Sequence, residues 1–121
     1  MNIMTPDDFV SRLRAAVVEE NTKLYSQLFA NTPAADASDE YWRRALSLFN
    51  DLSADQQKVF LEVVRQVAAD TTSNILGVID GVNALDGASG PFELRSSESS
   101  TNLSGDLQSL FLVQEERAAK K

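Results

Sequence analysis

The sequence predicts a mostly α-helical fold: a four-helix antiparallel bundle made by residues 1–121 as a single helical domain, with a short extended or β segment before the last helix. Apolar residues recur at helical spacing through most of the chain. The periodic runs open on cap residues, with acids near their starts where the helix dipole favours them. Short connections between the first three helices favour antiparallel neighbours.

The first helix is expected from Pro6 to Phe29. Thr5 caps it, Pro6 suits the first helical position, and Asp7 and Asp8 complement the positive end of the dipole. Phe9, Leu13, Val17, Leu24 and Leu28 form its apolar stripe, with Ala16 on one flank. Glu19 precedes Lys23 by four residues, the favourable order for an ion pair. Asn31-Thr32-Pro33 ends the helix, and the stretch to Ala37 is a loop. A second helix follows from Ser38, with Asp39 and Glu40 each four residues ahead of Arg43 and Arg44. Trp42, Ala45, Leu46 and Phe49 are its apolar side, which places Trp42 in or at the edge of the core. Asn50-Asp51 closes it.

Ser53-Ala54-Asp55-Gln56 is a capping-box pattern that opens the third helix, the longest and most apolar. Phe60, Val63, Val64, Val67, Thr71, Ile75, Val78 and Val82 share one face, widened by Leu61, Ala68, Leu76 and Ile79. Such a helix is expected to be a buried central rod that the others wrap. Gly81 and Gly87 mark its end, and Asn83 to Gly90 is a glycine-rich turn. Pro91 to Ser96 alternates apolar and polar residues, the pattern of a short strand or extended arm. Ser96 to Thr101 is a serine-rich loop, open also to reading as a modification site. A fourth helix is expected from Asp106 to Ala119, with Leu107, Leu110, Phe111 and Gln114 on one side and Arg117, Lys120 and Lys121 at its negative end. Leu110 to Val113 alone also fits a strand.

Composition narrows the chemistry. The 121 residues include no cysteine and no histidine. Disulfides, thiol nucleophiles, zinc–thiolate sites and the commonest general base are therefore unavailable. Any catalysis would rest on carboxylates, lysine, tyrosine or hydroxyls. The formal net charge of −7 disfavours a nucleic-acid partner, because phosphates would repel it, and suits a basic protein partner. The start of the chain lacks the pattern of a secretory signal and no apolar run approaches the length of a membrane span, so a soluble, cytoplasmic protein with no membrane partner is expected.

The best candidate site is the polar seam of the third helix. Gln66, Asp70, Ser73 and Asn74 lie at helical spacing on one side, with Asp80 at the end of the helix, and they make a candidate patch for a partner or ligand. A solvated face is the bland reading of the same residues. Ser73, Gly77 and Gly81 repeat every four residues, which permits close approach of another helix. The turn from Asp80 to Gly87 offers oxygen ligands, but its spacing does not match a calcium loop and suits ordinary turns. The acids elsewhere crowd helix starts. No phosphate loop, nucleophile elbow or dinucleotide fingerprint is present. No catalytic, metal or cofactor residue is assigned, and no cofactor is expected.

Two stretches carry a resemblance. One is Tyr41-Trp42-Arg43-Arg44-Ala45-Leu46-Ser47-Leu48-Phe49, continued through Arg65-Gln66-Val67 and Ile79-Asp80-Gly81. The other is Leu103-Ser104-Gly105-Asp106-Leu107-Gln108 with Phe111-Leu112. Together they resemble small bacterial helical proteins of an uncharacterised family. That resemblance implies no activity. The leading expectation is a non-enzymatic interaction protein, a regulatory or immunity-type accessory factor. Its rivals are a small-ligand or enzymatic role using Asp70, Asn74 and Asp80, and a structural homo-oligomer built on the third helix.

Overall fold

The computed structural model describes residues 3–87 and 92–120. The chain is mostly helical, with 70% of it in helix, and no sheet forms among the described residues. Helix α1 (Pro6–Arg14) runs through a π-helical turn (Ala15–Glu19) into α2 (Glu20–Asn31). A short 3-10 turn (Ala34–Asp36) precedes α3 (Glu40–Asp51), which is followed by α4 (Ala54–Ile79) and, after a long connection, α5 (Leu107–Ala119).

The local signals work as the sequence suggests. The Thr5 hydroxyl accepts from the Asp8 N–H at 3.1 Å, and Pro6 follows as the first helical residue. Asp39, not Ser38, caps α3, by accepting from the Tyr41 N–H at 2.8 Å. Ser53 and Gln56 form both halves of the capping box. Two expected ion pairs are replaced. Glu40 reaches Arg43 three residues on, at 3.5 Å, and Glu19 bonds Arg14 and Arg65 rather than Lys23.

The α1–α2 helix and α4 lie antiparallel. Val10, near the start of α1, shares a cluster with Leu76, near the end of α4, while Phe29 at the end of α2 meets Phe60 at the start of α4, 5.4 Å between ring centroids. Helix α5 is also antiparallel to α4, since Gln108 reaches Ser73 and Glu115 reaches Arg65. The core divides accordingly. One cluster holds Val10, Val18, Ala69, Leu76, Leu107 and Phe111; the other holds Phe29, Leu46 and Phe49, with Trp42 and Phe60 against it. Helix α5 closes the first and α3 the second.

The π turn sets the register of the first helix. Eight residues of ordinary α-helix would leave Val18 about 80° out of phase with Val10. The wider turn takes up one extra residue, so both side chains reach the same core, each fully buried. Phe29 follows Val18 by three regular turns and is buried in the second cluster. The predicted stripe is therefore displaced by one residue: Phe9, Leu13 and Val17 flank the core, and Leu24 is exposed.

Helix α4 departs most from expectation. The valine face is not the buried one. Val63, Val67 and Ile75 are 57%, 59% and 55% exposed, and Thr71 and Val82 are also exposed. The buried side is Ala69, Thr72, Ser73, Leu76 and Gly77. Those small residues let the π turn and α5 approach closely, and their hydroxyls are satisfied: Thr72 donates to the Ala68 carbonyl at 2.7 Å, and Ser73 Oγ accepts from Gln108. Periodicity measures apolar character; it does not record which side the neighbours occupy. So α4 is central in the architecture, but it is not a rod enclosed on all sides.

The extended segment is reduced to a single antiparallel bridge between Arg95 and Asn102, with Leu94 packed on the first cluster. Its expected first residue, Pro91, lies outside the described residues, as do the end of the glycine-rich turn before it and Lys121.

Four charges from distant segments tie the first cluster together. Arg14 donates to Glu115 at 2.7 Å and to Glu19 at 3.0 Å; Arg65 donates to both Glu115 oxygens at 3.0 and 3.1 Å and to Glu19. Burial pushes the Glu115 carboxyl up, but hydrogen bonding and charge from Arg65 and Arg14 outweigh it and hold the group below its usual value of 4.5.

A carboxyl held low in the fold adds stability that is complete above its unfolded value and is lost as pH falls through its folded one. Stability to urea is expected to decline below pH 4.5, and Glu115→Gln should flatten that decline. The packing itself is checked by a pair of variants. Phe111→Ala should lower unfolding free energy by about 3–5 kcal/mol, whereas Val67→Ala should change it by no more than about 0.5 kcal/mol.

Candidate functional site

The sequence-derived patch separates into two groups. Ser73 and Asp80 are drawn into the joint between α4 and α5. Gln66, Asp70 and Asn74 remain exposed along α4.

Asp80 ends α4 and begins α5. One carboxylate oxygen accepts from the N–H groups of Gly105 at 2.7 Å and Leu107 at 3.1 Å; the other accepts from the Gln108 N–H at 2.8 Å. The first turn of a helix has unpartnered N–H groups and a positive field. Asp106, the residue in the cap position of α5, makes no side-chain cap. Asp80 supplies it from more than twenty residues away. Gln108 then donates to the Ser73 carbonyl at 3.0 Å and to its hydroxyl at 3.2 Å.

Close approach at this joint depends on Gly77. A methyl there would fall against the Asn83 side-chain amide and within 2.8 Å of Gln108 Nε2. Asn83 uses that amide to reach the Asn74 carbonyl at 3.3 Å. Gly81, at φ +79°, adopts the left-handed conformation of a helix stop, and the Val82 and Gly81 N–H groups return to the Gly77 and Val78 carbonyls. The Ser73–Gly77 spacing seen in the sequence serves contact within the chain. Among the described residues no buried side-chain nitrogen or oxygen lacks a partner.

The exposed members differ. Gln66 donates to Asp70 at 2.8 Å, and Asn74 lies one turn further along. In sequence they fall directly before Val67, Thr71 and Ile75, so this polar row runs beside the valine row of α4.

Beyond the valines, α4 meets α1–α2 in two apolar clefts. One, of about 370 Å3, is lined by Leu13, Val17, Asn21, Ala68, Thr71 and Ile75, among others. The other, of about 480 Å3, lies between α2, α3 and α4 and includes Tyr25, Phe29, Tyr41, Trp42, Leu48, Phe60 and Val64, with Arg44 at its margin. Leu13, Val17, Asn21 and Tyr25 advance along one helix as Ile75, Thr71, Ala68 and Val64 retreat along the other, so the two clefts follow one another along the groove between these helices. Trp42 stands between Tyr25 and Tyr41, with ring centroids 6.0 and 5.3 Å away. It thus faces both the second core cluster and the groove.

A further cleft beside the start of α1 is lined by Met4, Phe9, Leu94, Leu103 and the serines of the Ser96–Ser99 turn. Its arginine, Arg95, is already engaged by Glu93 and by the Ser100 carbonyl.

Sequence reading put Leu13, Val17, Phe60, Val64, Ala68, Thr71 and Ile75 of these clefts on apolar faces turned to the core, because an exposed apolar residue and a buried one carry the same signal. The Arg14–Glu19–Arg65–Glu115 group was not anticipated, since its members meet only in the fold. No family model, curated protein or solved structure matches the chain.

Removing the remote cap should be costly. Asp80→Ala leaves three backbone donors without their acceptor and is expected to destabilise by about 1–3 kcal/mol. Gly77→Ala should fall in the same range, by displacing two hydrogen-bonded amides. Urea titration followed by circular dichroism measures both, and wild-type stability in either variant would contradict the joint as described.

Proposed function

We propose that the protein is a non-enzymatic interaction factor, regulatory or accessory in the immunity-type sense, that docks an amphipathic helix of a partner protein in the groove between α2 and α4. The single observation behind this reading is the pair of aligned apolar clefts along α4, one of them lined by Ile75 of its exposed apolar row. Isolated exposed apolar side chains are ordinary on protein surfaces; a contiguous apolar strip with polar edges is the pattern of an interaction site. Helix-in-groove recognition uses side chains spaced by three, four and seven residues, which matches a straight groove between two helices. The aromatic cleft around Trp42 fits the partner's largest side chain, since tryptophan and tyrosine dominate binding hot spots.

On this reading the four helices act as an antiparallel bundle with one side open, and the bound helix fills that side. The extended stretch around Leu94 and Arg95 serves as an arm holding α5 in place. Gln66, Asp70 and Asn74 form the polar edge of the docking face, whereas Ser73 and Asp80 support it from within. The homo-oligomer reading draws on the same apolar row, with a second copy as occupant. The ligand or enzyme reading has less support, because Asp80 is fully engaged in holding α5.

The Leu48→Asp, Ile75→Asp double variant is expected to keep its helical circular dichroism and to unfold cooperatively, since both positions are exposed and each lines one of the clefts. It should lose the protein that co-purifies with the wild type, as identified by mass spectrometry. Undiminished association of that protein would remove the groove as the docking face.

A further inference from the structure

Resting on the docking reading and deepening it, we infer that the partner helix is acidic where it enters the aromatic cleft: it carries a large apolar side chain there, with a carboxylate one turn away that pairs with Arg44. The residues of α3 that line this cleft include Tyr41, Arg44, Ala45 and Leu48. They stand at positions i, i+3, i+4 and i+7, which makes them one continuous stripe of the helix. Tyr41 and Leu48 are exposed, and Arg44 lies one turn from each. It is the only charged residue lining either of the two clefts.

The fold leaves this cation without an acid. Glu40, four residues ahead of Arg44, turns instead to Arg43 at 3.5 Å, and Arg43 also donates to the Ala37 carbonyl at 3.2 Å. Asp39 is taken up in capping α3. Among the described residues no carboxylate lies within 4.0 Å of Arg44. Water solvates it in the free chain, since the residue is exposed.

Occupancy changes that balance. A side chain filling the cleft lies against Arg44 and strips water from it. A cation covered by an apolar group alone loses hydration with nothing in return, and a second cation repels it. A carboxylate beside the anchor restores what is lost, because the guanidinium fork matches its two oxygens. Arg44 thus selects among helices that fit the groove by shape alone. The formal net charge of −7 acts differently. It is spread over the whole surface and screened beyond about 8 Å at physiological ionic strength, so it governs a partner's approach, whereas Arg44 governs the seated contact.

The chain's only tryptophan, Trp42, lines the same cleft and reports occupancy. The probes are three tryptophan-free helical peptides with the same leucine face and a central phenylalanine. The polar positions one turn to either side of the phenylalanine are glutamate in the first, glutamine in the second and lysine in the third. Each is titrated into the full chain at physiological ionic strength and followed by tryptophan emission, with sedimentation equilibrium of the chain alone in parallel. The glutamate peptide is expected to bind about three- to fivefold more tightly than the glutamine peptide, and about tenfold or more tightly than the lysine peptide. Arg44→Glu should invert the order. Arg12→Glu, the same change of charge on an exposed residue that lines neither cleft, should leave the order intact. Leu48→Asp with Ile75→Asp should abolish binding of all three, the lysine peptide included, which separates docking from attraction by charge.

Equal binding of the three peptides, or tightest binding of the lysine peptide, lost in the Leu48→Asp, Ile75→Asp variant, would overturn the acidic-partner inference and leave the docking reading standing. So would an order that Arg44→Glu does not change. A wild-type dimer that the double variant dissociates, and that excludes all three peptides, would overturn it in favour of a second copy. Failure of all three to bind a monomeric chain would overturn the inference and the docking reading together.

Discussion

The fold depends on one close joint, where the end of α4 receives the beginning of α5. The Asp80 carboxylate gathers three backbone N–H groups, and Gly77 leaves room for the Gln108 side chain that reaches Ser73. A long connection separates these helices, and its entropy opposes their meeting. The buried Leu107 and Phe111 supply the apolar return, while the polar joint fixes where along α4 they settle. Everything at that end follows: Val10 and Val18 acquire a third wall, and Glu115 comes within reach of Arg14 and Arg65.

The placement of α5 also explains which side of α4 stays open. Helices pack closely where side chains are small, and the small side of α4 is the one that the π turn and α5 occupy. The larger valines are left outside, beside the groove toward α2. An apolar surface of that kind burdens a chain that must stay dispersed in water, and the formal net charge of −7 is one means of managing the burden. The same arrangement underlies the functional reading, because the surface the fold leaves uncovered is the one proposed to receive a partner's helix.

Local chemistry was legible in the sequence wherever cause and effect lie within a few residues. Thr5, Pro6, Ser53 and Gln56 announce their helix starts because capping acts over three positions. The apolar side of α5 was equally plain, since Leu107 and Phe111 lie one turn apart and both are buried. The interior side of α4 was not. Its valines outweigh Ala69, Ser73 and Gly77 on any scale of apolar character, and only the arrival of other helices decides the orientation. Of the candidate site, Gln66, Asp70 and Asn74 lie exposed on α4, while the inward bonds of Ser73 and Asp80 needed partners more than twenty residues distant. The π turn left no comparable mark, because a single extra residue resembles an ordinary lapse in periodicity.

That extra residue has a consequence for how the two ends of the molecule relate. The first helix is a shaft gripped at both ends, by Leu107 and Phe111 near its beginning and by the aromatic group around Phe29 at its finish. Excising one residue from Ala15–Glu19 would restore regular winding and keep the downstream register, but winding the same five residues as ordinary α-helix would turn everything beyond them by about 100°. Phe29 would then swing away from Phe49 and Phe60, and α3 would lose its seat without any change in its own residues. The winding of those five positions is thus a torsional setting, as confining as the identity of any side chain in the interior.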